Sequence, residues 1–393
     1  NHAKGSCPSQ GFLEDSLVNE SKRTEWDVVV VGGGPGGALA AKKCAEAGLA
    51  TLVLEKRQMP RDKCCTGMVM AEWGQEIVQR EFGDYPDWVE DKTIYLAGYA
   101  LHIPDAETRT LNINTPTTWR HTLDTWMCEC AQKAGAEVWD RARLVDLSQE
   151  GSSCLLEIKL EDSSIELSAD FVIGADGSHS VVRQLIWPEF KPLMRHGYRV
   201  CFETQVDLAA DRFNMFPSGL TDIFFVHQKG DETYLEGVAA DGKLDETIEE
   251  ARAYLVQNHG LDPDIEPAWR DGCAVQLASP ALWSGDFRPA KDNILLIGDA
   301  GGANAPISGE GLAMALKTGV DAASAIVESK QGKHSAQETY LHHIDHIISV
   351  FGEISRDGAC MLTALESGDA DRFSQAMMAS WDRSLNAFHG DID

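Results

Sequence analysis

The chain is poor in positive charge: 34 Lys and Arg stand against 62 Asp and Glu, a net charge of −28 over 393 residues. No basic run of the kind that tracks phosphates is present, which makes nucleic acid and anionic lipid surfaces poor candidates for partners. Also missing is any stretch near the roughly 18 consecutive apolar residues of a membrane span. Low-complexity linkers and internal repeats are lacking, so the domains are expected to interleave rather than follow one another. The ten cysteines, at 7, 44, 64, 65, 128, 130, 154, 201, 273 and 360, have no C-x-x-C spacing. They read as reduced thiols of a cytoplasmic enzyme, not as a zinc site or redox dithiol. The opening NHAKGSCPSQGF has no apolar signal core, and residues 1–24 are expected to form a tail outside the fold.

What remains is ordinary globular composition, 43% hydrophobic and 24% charged, at a length that suits two to three domains. Its strongest local signal begins at Asp27–Val31 (DVVVV), a β-branched run suited to a buried parallel strand. GGGPGGALAAKKCAEAG follows as a small-residue helix opening, and a second apolar run, Ala50–Leu54, ends at Glu55. Gly32, Gly34 and Gly37 fit G-x-G-x-x-G within this complete β-α-β unit. The glycines allow a tight turn and close approach of backbone to pyrophosphate, and the helix N-terminus offers N–H groups and a positive dipole end. Glu55 stands where a carboxylate accepts from a ribose 2′-OH, which disfavours the 2′-phosphate of NADP. NAD and FAD remain.

Two further strand-to-loop signals decide between them. Phe171–Ser178 (FVIGADGS) runs into Asp-Gly, and Asn293–Asp299 runs into the Gly-rich AGGANAPISGEGLAMAL. With the fingerprint, the run Ala175, Asp176, Gly177, Ser178, Ser180, Arg183 and the run Gly298, Asp299, Pro306, Gly309, Glu310, Gly311 resemble the class A FAD-dependent oxidoreductases of the p-hydroxybenzoate hydroxylase superfamily. Pro60, Arg61, Lys63, Cys65 and Gly67 resemble the P-R-x-K-x-C-G-G segment of geranylgeranyl reductase-like flavoproteins, which are similar to flavin-dependent halogenases; Thr66 replaces the first glycine of the pair.

The resemblance implies extended FAD, with its AMP half on the fingerprint and its ribityl–pyrophosphate on the Asp299 loop. N–H donors from Gly309 to Leu312 would face the flavin pyrimidine edge, where negative charge develops on reduction. Asp299 then accepts a ribityl hydroxyl or fixes the loop, the alternative being an N-cap without a ligand. Asp176 stays open between a turn residue and a cofactor contact. Arg120, near the start of the amphipathic helix read at Thr117–Gly135, falls where the family's arginine reaches the FAD phosphates; a solvated surface arginine is the competing reading. Leu144 falls where the family contacts adenine. The cofactor set so drawn is Gly32, Gly34, Gly37, Glu55, Lys56, Cys65, Gly67, Arg120, Leu144, Asp176, Asp299, Gly309, Gly311 and Leu312.

Cys65 would lie beside the isoalloxazine, able to deliver or relay a proton, or would be an ordinary small apolar residue. Cys64 reads as packing. The family's Y-x-W-x-F-P has only Ile223–Gln228 (IFFVHQ) as its nearest match, and no halogenase W-x-W-x-I-P occurs. That segment is expected to bring Phe224, Phe225 and His227 to the flavin face, with His227 either acid–base catalyst or structural histidine. His342, His343 and His346 share part of one helix face and read as an exposed helix rather than a metal site. The fold expected is α/β: a Rossmann-like FAD-binding (GR2-type) fold with an inserted antiparallel-sheet substrate domain and a C-terminal helical region. Its FAD-binding domain spans 25–75, 106–190 and 286–330, the substrate-binding domain 76–105 and 191–285, and the C-terminal helical region 331–393.

The function expected is reduction of a C=C bond in a hydrophobic or conjugated small molecule by hydride from reduced flavin N5. Alternatives are a monooxygenase working through a C4a-hydroperoxide, and a maturation flavoprotein acting on a residue of a partner protein. With no second dinucleotide fingerprint, electrons come either from NAD(P)H visiting the flavin or from a separate reductase or ferredoxin.

Overall fold

The computed structural model describes residues 23–102, 107–218, 222–277, 279–306 and 309–389; the tail read at 1–24 lies outside these apart from its last two residues. The chain runs β1 (Glu25–Val31), α1 (Pro35–Glu46), β2 (Thr51–Leu54), α2 (Glu72–Phe82), β3 (Glu90–Leu101), β4 (Arg109–Thr118), α3 (Arg120–Lys133), β5 (Glu137–Trp139), β6 (Arg143–Glu150), β7 (Ser153–Lys159), β8 (Ser164–Gly174) and α4 (Val181–Ile186). It continues with β9 (Leu193–Phe202), β10 (Arg212–Ser218), β11 (Asp222–Lys229), β12 (Glu232–Ala239), α5 (Leu244–Asn258), β13 (Trp269–Leu277), α6 (Ser279–Ser284), β14 (Ala290–Lys291), β15 (Ile294–Leu296), α7 (Gly298–Gly301), α8 (Leu312–Lys330), α9 (Ala336–Ser367) and α10 (Ala370–His389).

The first sheet has the order β14-β15-β8-β1-β2-β5, with β8 also carrying the β6–β7 hairpin. β15, β8, β1, β2 and β5 pair in parallel, and their runs are apolar on both faces because both are covered. Val28 and Val30 join Ile173 and Leu295 in one core beneath α1, α8 and α9. Val29 and Val31 point the other way, into a core with Leu156, Val172 and Val182. The crossing of α1 and α8 is close because it is made of small residues: a Cβ on Gly36 would lie 2.5 Å from the Ala315 carbonyl oxygen, and one on Gly319 2.6 Å from that of Gly36.

The second sheet has the order β13-β9-β12-β11-β10-β3-β4. It is the antiparallel insert expected, with one parallel pair, β10 beside β3. The hairpin partner of β3 is β4, so Arg109–Thr118 belongs to this sheet and not to the nucleotide layer in which a boundary at 106 puts it. Conversely, α2 packs Ile77 and Val78 against Ala313 and Leu316 of α8, on the first layer. The helix read at Thr117–Gly135 begins at Arg120, because Thr117 and Thr118 still belong to the β4 stretch. Ile344, Ile347 and Phe351 of α9 are buried, Ile348 is partly so, and His342 and His346 are exposed.

Candidate functional site

A cavity of 1410 Å³ runs between the two sheets, larger than the roughly 300–1,000 Å³ of ordinary small-molecule pockets. One end is polar and backbone-rich. Gly34 caps α1 without a side-chain partner, leaving the first N–H groups of that helix directed at the cavity. The nearest atoms to a Cβ on Gly34 are the guanidinium tips of Arg120, 3.7 Å, and Arg61, 3.9 Å. Arg120 is buried and grips Asp124 bidentately, Nε to Oδ1 at 2.8 Å and Nη2 to Oδ2 at 2.9 Å. Arg61 Nη1 reaches the same carboxylate at 2.8 Å. Two guanidiniums therefore converge on one buried carboxylate beside an uncapped helix N-terminus, where N–H groups and guanidinium edges suit a pyrophosphate. Asp124 is correspondingly held below the usual carboxylate range, since the neighbouring Arg120 and Arg61 outweigh its burial.

Glu55 lines the same end but is already engaged: Oε2 accepts from the Gly33 N–H at 3.2 Å and pairs with Arg61 Nε at 2.9 Å, while Oε1 accepts from the Arg57 N–H. Lys56 is exposed at the rim and Leu144 is buried in the wall. Gly32 and Gly37 serve the protein's own closure, since a Cβ on Gly32 would meet the Ala175 carbonyl oxygen at 2.3 Å and one on Gly37 that of Gly32 at 2.0 Å. Asp176, half-buried, accepts from the Val181 and Val182 N–H groups and so caps α4 while lining the cavity; burial raises it. The turn and cofactor readings of this residue are thus compatible.

In the middle of the cavity Asp299 accepts from Ser178 Oγ at 3.3 Å and faces Lys63 Nζ at 3.4 Å. At Gly309, φ +68°, an added methyl would meet no atom within 4 Å among the described residues, so the loop lies open toward the cavity. Gly311 caps α8 without a side-chain partner just before the buried Leu312. Cys65 lines the opposite wall, its Sγ accepting from the Gly67 N–H at 3.4 Å. Gly67 itself is turned away: at φ +77° a Cβ would lie 2.0 Å from the Thr118 carbonyl oxygen, so its glycine is required by the chain and not by a ligand. Cys64 also lines the cavity and hydrogen-bonds Cys273, a partner that, with burial, raises its thiol; packing alone does not describe it.

The far end is apolar, lined by Phe213, Ile223 and Phe225 of the second sheet and by Met361, Phe373 and Met377 of α9 and α10. Because side chains alternate along β11, Phe224 points through the sheet into the core under α5, contrary to expectation. His227 shares the face of Phe225 but lies outside the cavity wall: it is buried, stacked on Tyr234 at 5.0 Å, and neither ring nitrogen has a hydrogen-bond partner among the described residues. Burial holds it well below its ordinary value, with Lys229 and Arg199 adding to the effect. Register explains the miss. His227 stands in the cross-strand row Tyr234–Cys201–Trp269, one row beyond Phe225–Glu236–Arg199–Asp271, and Trp119, just past the end of β4, packs against Tyr234 of that row.

A profile of the FAD dependent oxidoreductase family matches residues 27–183. The digeranylgeranylglycerophospholipid reductase 1 of Methanopyrus kandleri is 27% identical over 382 residues, covering 89% of this chain and 94% of that protein. Over these stretches the chain is similar to FAD-dependent oxidoreductases. In fold it is similar to a geranylgeranyl bacteriochlorophyll reductase-like protein from Thermoplasma acidophilum (TM-score 0.74, 20% identity, 91% of this chain and 92% of that one). A p-nitrophenol 4-monooxygenase from Pseudomonas putida shares the fold too (TM-score 0.70, 17% identity, 92% and 98% covered).

The family match covers the β1–α1–β2 unit and Asp176–Arg183, and Arg183 ties those parts to the rest of the chain. It donates to Gln276 Oε1 at 2.5 Å, the Ala300 carbonyl at 2.8 Å and the Ser178 carbonyl at 2.6 Å, joining both sheets to the α7 turn. Two site residues have no sequence signature of their role. Arg61 is visible only as part of a motif, and its place beside Arg120 depends on its reach to Asp124, 63 residues along the chain. Glu236, in the alternating strand TYLEGVAA, gives no local sign that it faces a cavity.

Proposed function

We propose that this cavity binds FAD: the α1 N-terminus, Arg120 and Arg61 would hold its pyrophosphate, and Cys65 and the Gly309–Leu312 turn would flank its isoalloxazine. Glu55, Leu144 and Lys56 would bound the adenosine end, and Asp299 the ribityl chain. When bound, FAD supplies a two-electron carrier that donates hydride from N5 once reduced. Next to that position Leu312 opens α8, whose positive dipole end would favour negative charge at the pyrimidine edge. Phe213, Ile223, Phe225, Met361, Phe373 and Met377 exclude water from the far end and hold an apolar substrate by contact area.

The reaction this supports best is reduction of a C=C bond in a hydrophobic, prenyl-type or conjugated molecule. One observation carries it: the cavity runs without interruption from the cofactor cradle into an apolar end closed by methionines and aromatics. The name of the Methanopyrus kandleri relative supports the same reading. The test is a single turnover under nitrogen: protein reduced with dithionite is mixed with a geranylgeranylated glycerophospholipid in detergent. Reoxidation of the flavin without oxygen, and a product heavier by two hydrogens, is expected. Reoxidation that requires oxygen and yields a product carrying an oxygen atom would replace the reductase reading with the oxygenase. NADH, NADPH and a reduced ferredoxin, offered separately in place of dithionite, identify the electron donor.

A further inference from the structure

Across the second sheet, one row joins Phe225 on β11, Glu236 on β12, Arg199 on β9 and Asp271 on β13, each directly opposite the next, and Phe225, Glu236 and Asp271 of it line the cavity. Arg199 spends its donors on one side of that row and on the loop above: Nε and Nη2 grip Asp271 at 3.1 and 2.7 Å, and Nη1 donates to the Cys65 carbonyl at 2.8 Å. Glu236 receives none of them. The residue is 8% exposed and lines the cavity, and Oε1 has no hydrogen-bond partner among the described residues. The neighbouring carboxyl groups of the cavity are committed. Glu310 accepts from the Met70 and Ala313 N–H groups with one oxygen each, Asp271 is paired, and Asp299 holds Ser178 and Lys63.

We infer that Glu236 is the acid that delivers the proton to the substrate double bond, a catalytic residue for the reaction proposed above and resting on that reading. The charged groups facing it are Arg199 from β9, Lys229 from β11 and Asp271 from β13; the two cations lower it, but burial prevails with help from Asp271 and pushes it up to about 7. A neutral carboxyl in an apolar cavity with an uncommitted oxygen is a proton source at neutral pH. In the step, the Glu236 O–H bond breaks and a C–H bond forms at one alkene carbon. Hydride from the reduced flavin, oxidised by two electrons in the same turnover, forms the other C–H bond as the π bond is lost. Water at the cavity mouth then returns a proton to the carboxylate. The Arg199 grip on the Cys65 carbonyl makes the same row the support of the loop that bears Cys65.

The experiment compares wild type, Glu236→Gln, Glu236→Asp and Cys65→Ala, each purified with FAD and matched in flavin content and thermal midpoint. Glu236→Gln keeps volume and polarity but holds no transferable proton. It is expected to slow anaerobic reoxidation by the geranylgeranylated lipid by about 10²-fold or more. KM stays near the wild-type value, and the tenfold fall in rate per pH unit above about pH 7 disappears. Glu236→Asp should fall between the two and keep the pH dependence. Independently of turnover, infrared difference spectra should show a protonated carboxyl lost as pH rises through about 7 in wild type and missing in Glu236→Gln. A Glu236→Gln rate and pH profile equal to wild type, or the loss of both in Cys65→Ala alone, overturns the assignment while the reductase reading stands. Failure of wild type itself to be reoxidised by the alkene overturns the reading, and the assignment with it.

Discussion

Arg199 stands directly opposite Glu236 on the neighbouring strand, yet its guanidinium is spent on Asp271 and on the backbone of Cys65. Oε1 of a buried carboxyl beside an arginine is therefore left without a hydrogen-bond partner among the described residues, which the pairing habits of these residue types would not suggest. The same arginine fixes the height of the Cys65 loop above the sheet, so the loop and the row beneath it form one support. Four further expectations concern the rest of the molecule.

Arg120→Lys should leave the fold intact and loosen the cofactor. Lysine is a point charge and cannot reproduce the bidentate grip on Asp124 while presenting a second edge to an anion. A loss of about 1.5–3 kcal/mol in FAD binding is expected, the worth of a charge-assisted hydrogen bond. Titration of the stripped protein with FAD measures it; an unchanged affinity would place the pyrophosphate elsewhere.

Gly36→Ala and Gly309→Ala should fail differently. A methyl on Gly36 meets the Ala315 carbonyl oxygen at 2.5 Å, so α1 and α8 must separate, at about 1–3 kcal/mol. At Gly309 a methyl meets no atom within 4 Å among the described residues, and the positive φ alone costs about 1–2 kcal/mol. Chemical denaturation of the stripped proteins separates them, and only Gly309→Ala is expected to lower FAD retention by more than its effect on stability.

Glu310 is pushed up to about 7 by burial against an ordinary value of 4.5. The unfolded chain releases this proton at lower pH than the folded one, so the stability it contributes is full below about 4.5 and is lost as pH rises to about 7, levelling off above. At about 1.4 kcal/mol per unit the loss is about 3 kcal/mol. Glu310→Gln should therefore flatten the stability–pH curve between those values, read by denaturation at a series of pH values; parallel curves would count against a neutral Glu310.

His227→Phe should keep turnover and hold or raise stability. The ring lies stacked on Tyr234 with both nitrogens unpartnered among the described residues, and phenylalanine fills the same space without a buried polar group. Since burial lowers the histidine, the folded state loses stability as pH falls below about 6.5, where the unfolded chain takes up the proton. The variant should lose that acid sensitivity, and a large fall in turnover would restore His227 as a catalyst.

The sequence by itself carried the nucleotide layer. DVVVV, the Gly32–Gly37 turn and Glu55 are contiguous signals whose spacing is imposed by a strand, a turn and a helix, and local geometry converts such spacing directly into structure. The resemblance to a known family singles out Arg120, Asp176, Asp299 and Gly311, and each stands at or beside a helix end. The apolar half is not legible, because its site is made by register. Phe224, Phe225 and His227 look alike in one strand, but alternation turns Phe224 into the core, and one row of pairing separates Phe225 in the cavity from His227 stacked on Tyr234. Glu236 becomes a cavity residue only when β12 is set between β9 and β11, and Arg61 joins Arg120 only when its loop folds back over α3. Such pairings between distant segments are decided by the packing of the whole chain, and no local run of residues encodes them.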